Sequence, residues 1–225
     1  MDRLNRIRML IGDAGVQKLQ SATVMVVGCG AVGSFATEAL ARSGVGNIIV
    51  VDFDTVEASN INRQLFALDS TIGQAKVDVA AARIHDINPD IRICAINAFF
   101  DANTDITPRP DFVIDAIDTT ESKIALYRWC RANNIPFISS MGAALKSDPT
   151  RVCVSKLSKT SVCPLAAKVR GIVRTTDIGD FPVVFSTEPA RRPSGAGKNF
   201  GSIITVTGVF GLMLANYAIE QLITQ

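Results

Sequence analysis

Through the first two thirds of the chain, short apolar runs alternate with longer stretches in which apolar residues recur every three or four positions. The runs at 23–27, 47–51, 91–96, 112–114 and 136–140 read as strands. The second is apolar at nearly every position, as when helices cover both faces of a parallel sheet. Between them the spacing predicts helices at 31–42, 75–87 and 122–132. In the middle one Val77, Ala81 and Ile84 share a face, and Asn88-Pro89 ends it because proline disfavours helix in the residue before it. Ahead of the first strand, 3–11 reads as a short basic helix stopped at Gly12, with Asp13 capping a second through Leu19. This alternation predicts an α/β fold built on a doubly wound, mainly parallel sheet, with ligands at the carboxyl ends of its strands.

After about Gly142 the rhythm weakens. Strands are expected at 152–155 and 183–185, a helix at 164–174 with Pro164 in its first position, and a mobile loop near 187–201, where EPARRPSGAGKNF is rich in Pro, Gly and basic residues. The apolar run 203–219 contains Thr205, Thr207, Gly208, Gly211 and Asn216 and lacks strong basic flanks. It reads as a buried or interface helix, with membrane association as the minority alternative. The expected organisation is one domain over 1–225, comprising an N-terminal helical segment (1–22), a nucleotide-binding core (23–150) and a less regular C-terminal extension (151–225).

Composition changes this picture little. With 225 residues, 48% hydrophobic and 20% charged, the chain can form one substantial core and is not of the disordered class. A net charge of +2 permits a nucleic-acid partner without arguing for one. The five cysteines are scattered with no C-x-x-C pair, so no zinc is expected, and a reducing cytoplasm fits. The opening MDRLNRIRML lacks the apolar core of a secretory signal.

The candidate chemistry begins at Gly28, Gly30 and Gly33, a G-x-G-x-x-G run directly after the first strand. One glycine permits a tight turn, one lets phosphate approach and one lets helix and strand pack closely, while the next helix points its first amides at anionic oxygen. Asp52 closes the second strand, placed for ribose hydroxyls. That fingerprint alone points first to a dinucleotide-dependent oxidoreductase. The polar tail shifts the balance: Asp54, Asn60, Asn62, Arg63 and Gln64 follow, then Lys76 at the start of a helix. A dinucleotide pyrophosphate needs little added positive charge, whereas a triphosphate under attack does. Asp118, just past the fourth strand, adds a carboxylate suited to Mg²⁺.

RLNR, GCGAVGS, ARSGVG, VDFD, NINRQ, IGQAKV, INP and DAIDT together resemble the adenylating domain shared by ubiquitin-activating enzymes and bacterial sulfur-carrier activators. SSMGAALKSDPTRV, CPLAAKVRGIVR, VFSTE and GKNFGSIITVTGVFG resemble one branch of it, the tRNA threonylcarbamoyladenosine dehydratases. The resemblance implies that the glycines, Asp52 and Asp54 lie at the ATP site, that Asn60, Arg63 and Lys76 hold phosphates, and that Asp118 holds magnesium. It also implies that Arg6 reaches the triphosphate of a partner subunit in a homodimer. The implied reaction adenylates the carboxylate of threonylcarbamoyladenosine beside the tRNA anticodon and closes a ring with net loss of water. The alternatives are adenylation of a sulfur-carrier protein ending in Gly-Gly, and a sulfur-transfer or scaffold role beside a cysteine desulfurase or sulfur acceptor.

Cys153 and Cys163 are weak candidates as nucleophiles, since neither has a sequence-local base and the only histidine, His85, falls in a helix. For the tRNA, the helix from Pro164 places Leu165, Val169 and Ile172 on one face and Arg170 and Arg174 on the other. Lys156, Lys159, Arg191, Arg192 and Lys198 add charge in the same third of the chain, a pattern that reads equally as a surface for tRNA phosphates or as an ordinary solvated face.

Overall fold

The computed structural model describes residues 2–101, 103–191 and 200–224. Their centre is β1 (Thr23–Val27), every residue of which is buried. It pairs in parallel with β2 (Asn47–Val51) on one side and β4 (Phe112–Asp115) on the other. Outward from β2 lies β3 (Arg92–Ile96), and outward from β4 lies β5 (Phe137–Ser140), both parallel to their neighbours. The chain therefore winds one way from β1 to β3 and the other from β4 to β5, and the reversal of direction falls between β1 and β4. The crevice at that reversal is where a doubly wound sheet binds ligand.

Alternation along the strands supplies two cores. Val24 and Val26 face one layer, which holds α2 (Gly33–Arg42), α3 (Lys76–Ile87) and α6 (Ile204–Thr224). Met25 and Val27 face the other, with α4 (Thr120–Ala132) and α5 (Pro164–Val173). The amino-terminal α1 (Asn5–Ser21) is interrupted at Gly12, whose φ of 73° and ψ of 173° are not helical, so two short helices meet there.

The C-terminal third is tied into the sheet more closely than its sequence rhythm indicated. β7 (Pro182–Ser186) lies parallel to β5, and β6 (Val152–Lys156) runs antiparallel on the outer edge, completing the order β3-β2-β1-β4-β5-β7-β6. Of the expected loop at 187–201, residues 192–199 lie outside the described residues. Helix α6 has the length and mean hydropathy (1.3) of a membrane span, yet half of its apolar window is buried. Val206, Phe210, Leu214, Ala218 and Leu222 run down one face into the core, spaced as a packed helix requires. Gly208 and Gly211 let it approach α2 closely: a Cβ on Gly211 would meet the Val32 carbonyl oxygen at 2.3 Å.

Candidate active site

The strand ends enclose a cleft of about 620 Å³ at the topological reversal. One wall is the turn after β1, with Gly28, Gly30, Ala31 and Val32. Asp52 and Asp54 follow β2, Asp118 and Thr119 follow β4, and Ser140 ends β5 with Met141 to Ala144 after it. Asn60, Arg63, Gln64 and Lys76 close the side next to the glycine turn. Of the residues expected at the ATP site, Gly28, Gly30, Asp52, Asp54, Asn60, Arg63, Lys76 and Asp118 line this one cavity, whereas Gly33 and Arg6 do not, nor does Asn62 of the polar tail.

The glycine turn shows why each position lacks a side chain. Gly28 sits at φ +98° and passes so close to the β4 end that a Cβ would lie 2.7 Å from the Ala116 carbonyl oxygen. Gly33 lies behind the turn, where a Cβ would meet the Gly28 carbonyl oxygen at 1.7 Å, and it sets how closely α2 packs. Gly30 is open: the nearest atom to its Cβ position is Gln64 Nε2 at 3.8 Å, leaving room for a ligand. No side chain caps α2, so its positive end is presented to the cleft.

Asp52 is buried and braces that turn. Its Oδ2 accepts the Cys29 N–H at 2.5 Å and its Oδ1 the Asp54 N–H at 2.8 Å, leaving lone pairs for a sugar hydroxyl. Lys76, although it follows a polar segment, is withdrawn from solvent. It is only 5% exposed, and its ammonium donates to Asp54 Oδ2 at 2.7 Å, with Asp54 on the wetter side. A buried ammonium held by a half-exposed carboxylate at a cleft wall is well placed for a polyanion. Arg63 is half-buried, and one guanidinium nitrogen donates to the Ser59 carbonyl and to Asn62 Oδ1 at 2.9 Å each. The Asn60 carboxamide accepts the Glu57 N–H at 3.2 Å, fixing the turn that presents Arg63.

Asp118 is exposed in the cleft and makes no hydrogen bond or ion pair among the described residues. Among those residues there is also no cluster of three metal-ligating side chains. One unpaired carboxylate in a cleft that also holds Lys76 and Arg63 has the chemistry to serve Mg²⁺, which takes one or two protein carboxylates together with substrate oxygens. Arg6 is exposed on α1 and does not line the cleft of its own chain.

Several lining residues had no individual signal in the sequence. Phe53 and Phe99, both about half exposed, sit at the lip with ring centroids 5.2 Å apart. The β5 turn and Leu165 form the far wall. Ser122, on the first turn of α4, is buried with no hydrogen-bond partner for its hydroxyl among the described residues. The strand-end rule that located Asp118 also covered the β5 turn, but nothing marked its small residues as lining.

The cysteines are free. Burial, and then the Asp52 carboxylate, push the Cys29 thiol well up, and burial raises Cys153. Both shifts oppose thiolate formation. Cys163 is buried and its sulfur accepts the Ala166 N–H, capping α5. His85 is exposed. The expected basic face of α5 is also revised. Ala166, Val169 and Val173 are its buried positions, and Arg170 turns inward to donate to the Leu157 and Thr160 carbonyls. Arg174, Lys156, Lys159 and Arg191 are exposed, whereas Arg192 and Lys198 lie outside the described residues.

With this geometry in place, the family model described as "ThiF family" matches residues 4–225. The chain belongs to the ThiF family. The tRNA threonylcarbamoyladenosine dehydratase of Bacillus subtilis (strain 168) is 47% identical over 192 residues, covering 84% of this chain and 76% of that one. The crystal structure of the Escherichia coli tRNA N6-threonylcarbamoyladenosine dehydratase in complex with ATP superposes with a TM-score of 0.92 at 36% identity, covering 99% of this chain and 94% of that one. Another ThiF-like relative, the molybdopterin-synthase adenylyltransferase of Haemophilus influenzae, is 38% identical over 209 residues, with 86% and 84% covered. The sheet of this ThiF-family chain thus matches, nearly end to end, a fold solved with ATP.

Proposed function

We propose that the protein is an ATP-dependent tRNA threonylcarbamoyladenosine dehydratase. The observation that carries this reading is the near full-length likeness to the ATP-bound E. coli dehydratase, and the cleft has the features that such chemistry requires. The glycine turn and the start of α2 receive phosphate oxygens, and Asp52 receives the ribose. Lys76 and Arg63 stabilise the charge that builds on the phosphates as the substrate carboxylate attacks the α-phosphorus and pyrophosphate leaves. The carboxylate oxygen is then part of AMP, a good leaving group. An internal nucleophile of the same nucleoside attacks the activated carbonyl, AMP departs with that oxygen, and the nucleoside has lost one water.

In this reading Asp118 would hold Mg²⁺, which when bound would supply positive charge against that of the phosphates. Arg6 acts across a homodimer, since it is exposed and outside the cleft of its own chain. The tRNA is held through its phosphates by exposed basic residues including Lys156, Lys159 and Arg174.

A second reading, adenylation of a carrier protein ending in Gly-Gly, draws support from the similarity to the molybdopterin-synthase adenylyltransferase. ATP–pyrophosphate exchange separates the two. Stimulation by threonylcarbamoylated tRNA, and none by a Gly-Gly carrier, is the expected outcome, and the opposite pattern would overturn the dehydratase assignment.

A further inference from the structure

Beneath the β4 and β5 ends lies a cluster of polar groups that none of the steps above uses. Lys123, on α4, is 0% exposed, as is its partner Asp115, the last residue of β4. The three hydrogens of its ammonium meet three acceptors: Asp115 Oδ2 at 2.8 Å, the Ser140 carbonyl at 2.7 Å and Ser139 Oγ at 3.4 Å. The Tyr127 hydroxyl donates to the same Asp115 oxygen at 2.8 Å and the Ser139 hydroxyl at 2.6 Å. Asp115 Oδ1 accepts the Ile117 N–H at 3.0 Å.

Stability alone does not account for such a pair. Two charges withdrawn from water gain little net energy over apolar side chains of equal volume, so a fully buried ion pair is weak grounds for a stabilising role. What this one does have is placement. Through Asp115 it fixes the turn that carries Asp118 into the cleft. Through the Ser140 carbonyl it fixes the start of the opposite wall, Met141 to Ala144. Through α4 itself it fixes Thr119 and Ser122, which line the cleft between the two. Three separate wall elements are keyed to one ammonium that does not itself line the cavity.

We propose that Lys123 is a positioning residue, which with Asp115 sets the spacing between the Asp118 turn and the β5 turn and so aligns the acceptor carboxylate with the α-phosphorus. The inference rests on the adenylating reading of the cleft. It concerns the half of the site beyond Asp118, away from the glycine turn, so its loss should slow the chemical step and leave ATP binding largely intact.

The decisive variant removes both charges together, D115N/K123M, so that no lone charge remains buried. In a folded double variant, kcat for the ATP-dependent reaction of threonylcarbamoylated tRNA should fall about tenfold or more, because small misplacements of reacting groups are costly. The dissociation constant for ATP, measured by calorimetry, should stay within about threefold. A kcat within about twofold of the unmodified protein, or equal losses in kcat and ATP affinity, would overturn the proposal. If the double variant does not fold, Tyr127→Phe decides: removing that single hydroxyl should lower kcat by about threefold at unchanged ATP affinity, and an unchanged kcat overturns the inference. Should the unmodified protein itself fail to turn over this tRNA, the dehydratase reading fails instead, which keeps the two outcomes distinct.

Discussion

Asp52 holds backbone amides on two segments, Cys29 in the glycine turn and Asp54 at the head of the polar tail. A carboxylate can accept from both, whereas a carboxamide must turn its NH₂ toward one of them. Asp52→Asn should therefore leave one buried amide facing a donor, at a cost of about 1–3 kcal/mol. Thermal denaturation should show a lower Tm, and ATP should bind more weakly because the turn it sits on is loosened. An Asp52→Asn protein with unaltered Tm and ATP affinity would remove Asp52 as the brace. Sequence named Asp52 as a ribose ligand but not as a brace, because hydrogen bonds to main-chain amides leave no residue-type signature. Lys76 was legible as a phosphate cation, while its burial was not, since that depends on how the 52–76 segment folds over it. Lys123 was not singled out by sequence. Its signal was its place four residues before Tyr127 and seven before Cys130, on the apolar face of α4.

Among the elements, α6 and the clasp around Glu188 carry the clearest consequences. A side chain at Gly211 would strike the Val32 carbonyl and come within 2.8 Å of Phe35 Cβ, pushing α6 away from the helix that opens at the nucleotide turn. Gly211→Val should cost about 1–3 kcal/mol as overpacking, or roughly 2–12 °C in Tm for a domain of this size. An unchanged Tm would mean that α6 does not depend on this close approach. Glu188, fully buried, accepts the Ser147 and Asp148 amides at 2.9 Å each and the Ser147 hydroxyl at 3.1 Å. The Asp148 amide is the largest influence holding its carboxyl below the ordinary 4.5, with the Ser147 groups adding to it against desolvation. A depressed folded-state value means that the stability Glu188 confers is complete above 4.5 and is lost as the pH falls through the folded value. Glu188→Gln should lower Tm at neutral pH and flatten its decline below 4.5. A parallel decline in both proteins would exclude Glu188 as a contributor.

Elements were the most legible scale in the sequence. Strands and helices fall within a few residues of their expected bounds because strand pattern, glycine stops and Pro89 all acted locally. The face of α5 was misjudged because Arg170 pairs with carbonyls of the 157–160 turn, a contact between segments that helical periodicity alone does not encode.

For the whole molecule, the sheet continues through β7 and β6, a pairing between segments distant in sequence that no local pattern announced. The β5 turn, α5 and α6 therefore share one rigid frame with the glycine turn. Assembly is the next level. If Arg6 serves the neighbouring site of a homodimer, Arg6→Ala and Lys76→Ala chains should each be inactive alone. Mixed and reassembled, they should recover up to roughly a quarter of full activity, because half of the random dimers contain one intact site of two. No recovery in verified hybrid dimers would rule out the trans role. In the proposed function this cleft joins ATP cleavage to loss of water from a tRNA nucleoside. The most direct measurement is the mass of that nucleoside after the protein, ATP and threonylcarbamoylated tRNA are incubated together and the tRNA is digested. A mass lower by one water, only when ATP is present, is the predicted result. An unchanged mass with ATP demonstrably bound would contradict it.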